Sequence, residues 1–384
     1  MGKKILHVFT LLSMAETFFD GQFRYLSDNG FQIHVLAHKN VSEGSFIEDN
    51  KLIFKNVSIS RSINFLNDLK ALFIIYKYIK QYDFQIVVGH SPKGALLSMI
   101  AAKIAHVRTR IYYRHGYIYT TMHGLTRTLF KNEEKLVSSL ATKIVNVSPS
   151  IGEIAIKESI NRAEKQCCLG HGTCGGIDTH GKFNPDLIDD LTRRSIAEWI
   201  GIHESDYVIG FCGRLCPDKG ICELVEGYQL LKKRNESKAL KLLLVGPYDE
   251  RDVLPDRTMN QIRNDSSIIV TGFIDHNLQY YYSLMDVFVF PSYREGFGIS
   301  VIEASSMRIP VIVSKSHGCI DSIVEYKTGE YVDISSDAIC AKINQFINNA
   351  RVTNKYGESG RQDVIQKYDY SIIWPLILSF YNSL

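Results

Sequence analysis

What most limits the folds open to this chain is an alternation, kept from one end to the other, of short runs apolar on both faces with longer amphipathic stretches. In the first half KILHVFT, FQIHVLAH, LIFKNVSI, FQIVVGH, RIYYRH and KIVNVS have the length and β-branched content of buried strands, with helical patterns such as Asn67 to Tyr82 between them. In the second half YVIGFCG, LKLLLVG, IIVTGF, VFVFPS and PVIVSKS play the same part. A strand apolar on both faces needs cover on both, and the helices of parallel crossover connections provide it. The pattern predicts an α/β protein with two doubly wound parallel sheets. A chain of 384 residues is also too long for one ordinary core, which independently asks for two domains.

Between the two series lies LGHGTCGGIDTHGKFNP, with Gly170, Gly172, Gly175, Gly176 and Gly181 close together. Glycine at this density marks a mobile or closely approached backbone. It places the boundary between a domain of residues 1–175 and one of residues 176–369, with the link as a candidate hinge. The final YSIIWPLILSFYNSL is too short, and too interrupted by Pro375, to cross a membrane, so it reads as a helix over 370–384 packed on a domain surface. At the other end MGKKILHVFTLLSMA places two lysines before an apolar run, as a leader peptide does. His7 and Ser13 weaken that run, and a first buried strand accounts for it better.

Cys167, Cys168, Cys174, Cys212, Cys216, Cys222, Cys319 and Cys340 form no CxxC pair and mostly sit in or beside apolar runs, as free buried thiols do. A reducing cytoplasm is expected, and no metal site. Charge divides near the glycine-rich link: residues 1–177 carry 22 Lys+Arg against 13 Asp+Glu, and the remainder 22 against 28. A basic half attracts nucleic acid, anionic lipid or a phosphorylated substrate. Nucleic acid is the weakest of these, since no zinc finger, RNP motif or basic helix occurs.

Chemistry concentrates in PSYREGFGISVIEASSMRIPVIVS, residues 291–314, where Glu295 and Glu303 stand among glycines, apolar residues and serines. VFVFPS reads as a strand and ISVIEASSM as the helix after it, so YREGFG is the turn at the strand's carboxyl end, where open parallel sheets bind ligands. Glu295 lies in that turn, and Glu303 lies roughly 7 Å along the helix from Gly298. Gly296 and Gly298 are expected to bring free backbone N–H groups close to an anion. A carboxylate accepts two hydrogen bonds from a vicinal diol, so one acid suits a ribose and the other a sugar on the far side of a phosphate. A glycosidase pair instead needs two carboxyls facing each other at about 5 to 9.5 Å, which one turn-helix unit suits poorly. RLCPDKG, after the strand YVIGFCG, adds Arg214 and Lys219, two cations matched to a diphosphate.

GRLCPDKG, LLLVG, TGFIDH, and EGFGISVIE followed by PVIVSKSHGCIDSIVEYKTGEYV together resemble the retaining glycosyltransferases of family 4, over nearly all of residues 205–335. The resemblance implies the GT-B fold, two Rossmann-like domains facing across a cleft, with the final helix returning to the first domain. It implies a donor-binding set of Arg214, Lys219, Phe273, Glu295, Gly296, Phe297, Gly298, Ile299 and Glu303: Glu295 on the sugar, Glu303 on the ribose, Arg214 and Lys219 on the diphosphate, and backbone near Phe297 to Ile299 on sugar and phosphate. GHSPKGALLSMIAAKIA and RIYYRHGYIYT resemble a subgroup that extends undecaprenyl diphosphate-linked sugars in bacterial surface polysaccharide or glycan pathways, near the N-acetylgalactosaminyltransferases acting on diacetylbacillosamine. In that pattern His115 lies beside the donor sugar, and it joins Glu295, Arg214 and Lys219 as a catalytic candidate. LLSMAETFFDG departs from the family, which often has two glycines after the first strand to touch the donor phosphate.

His90, Ser91 and Lys93 stand where a strand meets a helix, with Pro92 suited to the helix's first turn, and are candidates for the acceptor's diphosphate. The expected reaction moves an N-acetylhexosamine or hexose from a UDP-sugar to a hydroxyl of an undecaprenyl diphosphate-linked saccharide with retained configuration. No cofactor or metal is implied. The alternatives are a transferase for a soluble acceptor and a non-catalytic module that binds nucleotide sugar. A lipid acceptor implies a cytoplasmic enzyme held peripherally on the anionic inner face of the membrane, with Lys77, Lys80, Arg127, Lys131 and Lys135 as the basic contacts.

Overall fold

The computed structural model describes residues 2–40, 44–60, 64–173, 175–235 and 237–384, so Cys174 lies outside the described residues. The chain forms two compact units, one of residues 1–176 with 370–384 and one of residues 177–369. All eleven runs read as strands are strands.

In the first unit, β1 (Lys4–Leu11), β2 (Gln32–His38), β3 (Ile53–Asn56), β4 (Ile86–His90), β5 (Thr109–Arg114), β6 (Lys143–Asn146) and β7 (Gln166–Cys168) make one sheet in the order β3-β2-β1-β4-β5-β6-β7. In the second, β8 (Tyr207–Cys212), β9 (Leu240–Val245), β10 (Ile268–Val270), β11 (Val287–Phe290), β12 (Val311–Ser314) and β13 (Gly329–Val332) are ordered β10-β9-β8-β11-β12-β13. Every pairing is parallel, for example Ile5 beside Ile86 and His7 beside Val88, or Val287 beside Ile209. Each sheet reverses its order once, between β1 and β4 and between β8 and β11. The crossovers on either side of such a point diverge, which opens a crevice at the strands' carboxyl ends.

The strands that sequence patterning did not find, β7 and β13, are both edge strands. The other two edges, β3 and β10, were found, so position alone does not explain the misses; length and composition do. β7 is only QCC, and β13 (GEYV) includes Glu330, whose carboxylate is buried because Lys342 (2.6 Å) and the Tyr356 hydroxyl (2.9 Å) satisfy it.

The helix Phe65–Tyr82 starts where the Asn64 side chain accepts from the Asn67 N–H and stops at Asp83, whose φ of 52° breaks the helical path. Its Ala71, Ile75, Tyr78 and Ile79 meet Leu6, Leu36 and Val87 of the sheet in one core.

The C-terminal helix Tyr370–Asn382 forms despite Pro375 and belongs to the first unit. Ile373, Ile377 and Tyr381, at helical spacing, are buried. Trp374 donates its indole N–H to the Gly175 carbonyl at 2.8 Å and stacks on Tyr370 at 4.4 Å. Gly21, with φ of 71°, gives that indole room, since a Cβ there would stand 2.9 Å from the ring. Among the described residues no helix is long and apolar enough to cross a membrane, and no group of three or more His, Cys, Asp or Glu is placed to hold a metal.

Burial of Ile373, Ile377 and Tyr381 stabilises the first unit by roughly 1.5 to 3 kcal/mol for each side chain. A chain ended at Asp369 is expected to unfold at a clearly lower temperature and to bind an apolar dye before unfolding. An unchanged calorimetric midpoint would contradict this packing.

Candidate functional site

The second unit gathers its polar groups at the β8–β11 reversal. After β8 the chain passes Gly213 and Arg214, makes a short helical turn over Pro217–Lys219, and enters the helix Ile221–Arg234 at Gly220. Gly220 has φ of 71°, and a Cβ on it would collide with the Pro291 carbonyl, so this turn is seated against the chain leaving β11. That contact brings Lys219 to Glu295, and the two form an ion pair with both side chains about nine-tenths buried. Lys219 Nζ also lies over the Phe290 ring, 5.7 Å from its centre.

Arg214 is half-exposed and paired with the buried Asp249 in the loop after β9, where Arg251 approaches the same carboxylate at 3.9 Å. Gly246, with φ of 141°, lets that loop touch Gly213. Each cation predicted for a diphosphate thus holds an acid in this structure, and each acid sits at a strand's carboxyl end.

The loop from Pro291 to Gly298 is held by its surroundings. Ser314 and Ser316 both donate to the Ser292 carbonyl, at 2.6 and 2.7 Å, and Arg294 pairs with Asp218 at 2.9 Å. Gly318, with φ of 80°, lies against the Glu295 and Gly296 carbonyls, where a Cβ would collide. The chain does turn tightly at Gly298, where the Ile299 N–H donates to the Phe297 carbonyl at 2.9 Å, but the φ of −76° there is one that any residue adopts; the helix Ile299–Ser306 follows at once. The glycines that this site requires for close approach are Gly220, Gly246 and Gly318.

Glu303 stands inside the helix Ile299–Ser306, as the spacing predicts, and accepts from the Tyr282 hydroxyl at 2.7 Å. Burial pushes its carboxyl up to about 7, against the pull of the Tyr282 hydrogen bond and the Lys182 charge. Burial and the nearby Glu303 charge in turn push the Cys212 thiol up to about 12, so that cysteine is inert. Phe297 is buried against Tyr368 at 5.2 Å, whereas Phe273 is 73% exposed on the loop after β10.

In the first unit the β1–β4 reversal holds a row of imidazoles. His7 of β1 is 2.9 Å from His90 at the end of β4, and His90 is 3.0 Å from His115 just beyond β5. His90 is fully buried between the other two and stacked on Phe9 at 4.0 Å. This corrects its reading as an anion contact, because both ring nitrogens are committed to other imidazoles. Ser91 is also buried, 2.7 Å from Thr10 Oγ1, with φ of 60°; it precedes the helix Pro92–Ile104 without capping it. Lys93 pairs with Asp68 at 2.8 Å. His115 is only partly buried and stacks on Phe18 and Tyr113. After β1 the chain enters the helix Leu12–Phe19 directly, with no glycine loop between.

Sequence reasoning missed Tyr282, Asp249 and His7. Asp249 had one legible signal, a carboxylate in GPYDE just past the strand LLLVG. Tyr282 and His7 had none, since they meet Glu303 and His90 only through the tertiary fold.

Two parallel Rossmann-like sheets in one chain, each reversing its order once, are the architecture of the GT-B fold. Residues 15–164 match the model of Glycosyltransferase Family 4 and residues 193–363 that of Glycosyl transferases group 1. The chain is 29% identical to the capsular polysaccharide biosynthesis glycosyltransferase CapM of Staphylococcus aureus, covering 100% of this chain and 97% of that protein. It is 25% identical to the UDP-Gal:alpha-D-GlcNAc-diphosphoundecaprenol alpha-1,3-galactosyltransferase of Escherichia coli, over 82% of this chain and 80% of that one. Anabaena HepE, solved in complex with UDP and glucose, superposes with a TM-score of 0.82 at 17% identity, each chain covered fully. The chain belongs to the family 4 glycosyltransferases.

The raised carboxyl of Glu303 fixes the sign of a pH effect. Between the ordinary carboxylate value and about 7 the folded chain holds a proton that the unfolded chain has released, so wild-type stability falls as pH rises through that window. Glu303→Gln has no such proton. Its midpoint in denaturant, relative to wild type, is expected to shift upward from pH 4.5 to 7 and then level off; a difference independent of pH would contradict the assignment.

Proposed function

We propose that this enzyme transfers a sugar, an N-acetylhexosamine or hexose, from a UDP-sugar to a hydroxyl of an undecaprenyl diphosphate-linked saccharide, with retention, in bacterial surface polysaccharide or glycan assembly. The observation that carries the reading is the Lys219–Glu295 pair at the β8–β11 reversal, flanked by Arg214 and Glu303, which offers two cations to a diphosphate and two carboxylates to hydroxyls on either side. The printed names of CapM and the E. coli galactosyltransferase support the pathway and the acceptor class, and the UDP in the HepE complex agrees with the donor.

Donor binding would exchange partners. The diphosphate replaces Asp249 on Arg214 and draws Lys219 from Glu295, which leaves the Glu295 carboxylate to accept from the sugar. As the bond from the anomeric carbon to the phosphate oxygen breaks, the acceptor oxygen bonds to the same face of that carbon, and its proton passes to the departing phosphate. Arg214 and Lys219 stabilise the charge that develops there. Glu303, inside its helix and held by Tyr282, would accept from the ribose diol.

Purified protein incubated with a panel of UDP-sugars and undecaprenyl diphosphate-linked saccharides tests this directly, with product configuration read by NMR. Product only with soluble acceptors, or an inverted anomeric centre, would refute it. Arg214→Ala and Lys219→Ala are each expected to lower kcat/KM on the order of 100-fold. Glu295→Ala is expected to abolish transfer and Glu303→Ala mainly to weaken UDP binding by calorimetry; unchanged UDP affinity in the latter would remove the ribose role.

A lipid-linked acceptor requires docking at a membrane surface, and the structure changes which groups suit it. Arg127 and Lys131 both pair with Glu158, at 2.9 and 2.7 Å, so two of the five basic side chains expected from sequence are tied down and one of their two charges is offset. The helices Phe65–Tyr82 and Gly124–Leu140 instead expose Phe65, Leu66, Phe73, Leu125 and Leu129, with Lys70, Lys77 and Lys80 exposed along the first. Flotation with anionic liposomes is expected to be weakened more by Phe65→Ser with Leu66→Ser than by Arg127→Glu with Lys131→Glu, and to fall with salt. Flotation indifferent to the apolar pair and to salt would sink this surface.

A further inference from the structure

The three imidazoles at the β1–β4 reversal form a hydrogen-bonded row: His7 Nδ1 to His90 Nε2, and His90 Nδ1 to His115 Nε2. A neutral imidazole has one N–H, so it donates at one nitrogen and accepts at the other. His90 has a partner at both nitrogens, and if it receives from His7 it must give to His115. The proton therefore sits on the same nitrogen of every ring, either Nδ1 throughout or Nε2 throughout.

The two orders differ at the ends of the row. With Nε2 protonated throughout, His7 would carry an N–H on a buried nitrogen that has no hydrogen-bond partner among the described residues. Orphaned buried N–H groups are the rarest of unsatisfied polar atoms. With Nδ1 protonated throughout, His7 Nε2 keeps only a lone pair, and the outer end of the row is His115 Nδ1–H on a half-buried ring.

We propose that His90 and His7 are positioning residues that lock His115 in its Nδ1–H form, giving the transferase a fixed, uncharged hydrogen-bond donor at the β1–β4 reversal for a sugar hydroxyl of its substrate. The proposal rests on the sugar-transfer reading and deepens it. In this order His115 has no lone pair to offer, so it orients its ligand and takes no proton, which suits a reaction in which the leaving phosphate takes the acceptor's proton. The one free lone pair of the row is at His7 Nε2, sealed from water.

The surroundings favour neutral rings. Around the row pack Phe9, Phe18, Phe19, Phe23, Tyr113 and Tyr381, none of them a carboxylate that would hold an imidazolium. Burial lowers His7 to about 3 and His115 to about 4, and burial with the flanking imidazoles takes His90 well below the usual value.

A long-range proton–nitrogen NMR spectrum of the full chain labelled with 15N-histidine reads the tautomers directly. His115, assigned through the signals lost in His115→Ala, is expected to show a protonated Nδ1 in wild type. In His90→Phe, which keeps a ring against Phe9, it is expected to relax to a mixture of tautomers, with kcat/KM for the donor about 10-fold lower or more and UDP affinity unchanged. His7→Phe, at the buried end, frees His90 Nε2 and is expected to loosen the same order if His90→Phe does not fold. A protonated Nε2 on His115 in wild type, or tautomers and turnover unmoved by either variant, would overturn the lock. Normal turnover in His115→Ala would instead strike down the sugar contact, an outcome the spectrum tells apart.

Discussion

Everything at these sites depends on parallel pairing. A strand buried on both faces and paired to parallel neighbours must return across the sheet through a helix, so every strand's carboxyl end opens on the same edge. Where the order of strands reverses, two helices leave in opposite directions and the loops between them face an open crevice. Both sheets do this once, and both collect their unusual chemistry there: the ion pairs of Arg214 and Lys219 in one unit, the imidazole row in the other.

This dependence explains what the sequence disclosed. Central strands announce themselves, because both faces must be apolar, and those runs were legible from KILHVFT to PVIVSKS. Of the four edge strands β3 and β10 were legible too, whereas β7 is only three residues long and β13 hides a paired Glu330. At the site, Glu295 and Glu303 stood out because a carboxylate among apolar residues needs a reason, and the strand-turn-helix around them placed both correctly along the chain. Partners that come from other elements were invisible: neither the Tyr282 bond to Glu303 nor the Asp249 pair with Arg214 follows any local spacing. His90 was misread for the same reason, as a strand-end histidine looks exposed until its two imidazole neighbours are known.

The basic first half teaches a related lesson about charge. Arg127, Lys131 and Lys135 do fall on one helix, Gly124–Leu140, but two of them converge on a single Glu158 from the helix Pro149–Lys157. A row of cations read along one helix therefore overstates the field that face presents, because the acid that pairs with it comes from another helix. What the tally cannot register is the apolar exposure of Phe65, Leu66 and Leu125, which owes nothing to charge.

One further consequence attaches to the acids that hold Arg214 and Lys219. A cation already paired in a partly dry setting yields its partner only to a ligand that replaces the whole interaction, so the strength of binding is a difference between two ionic contacts. A small anion such as free phosphate can satisfy one cation at a time and would leave the other carboxylate without its mate. Two linked phosphates in one ligand can answer both together. If the proposed donor binds here, the built-in counter-ions would act as a filter that favours its linked phosphates over abundant simple anions.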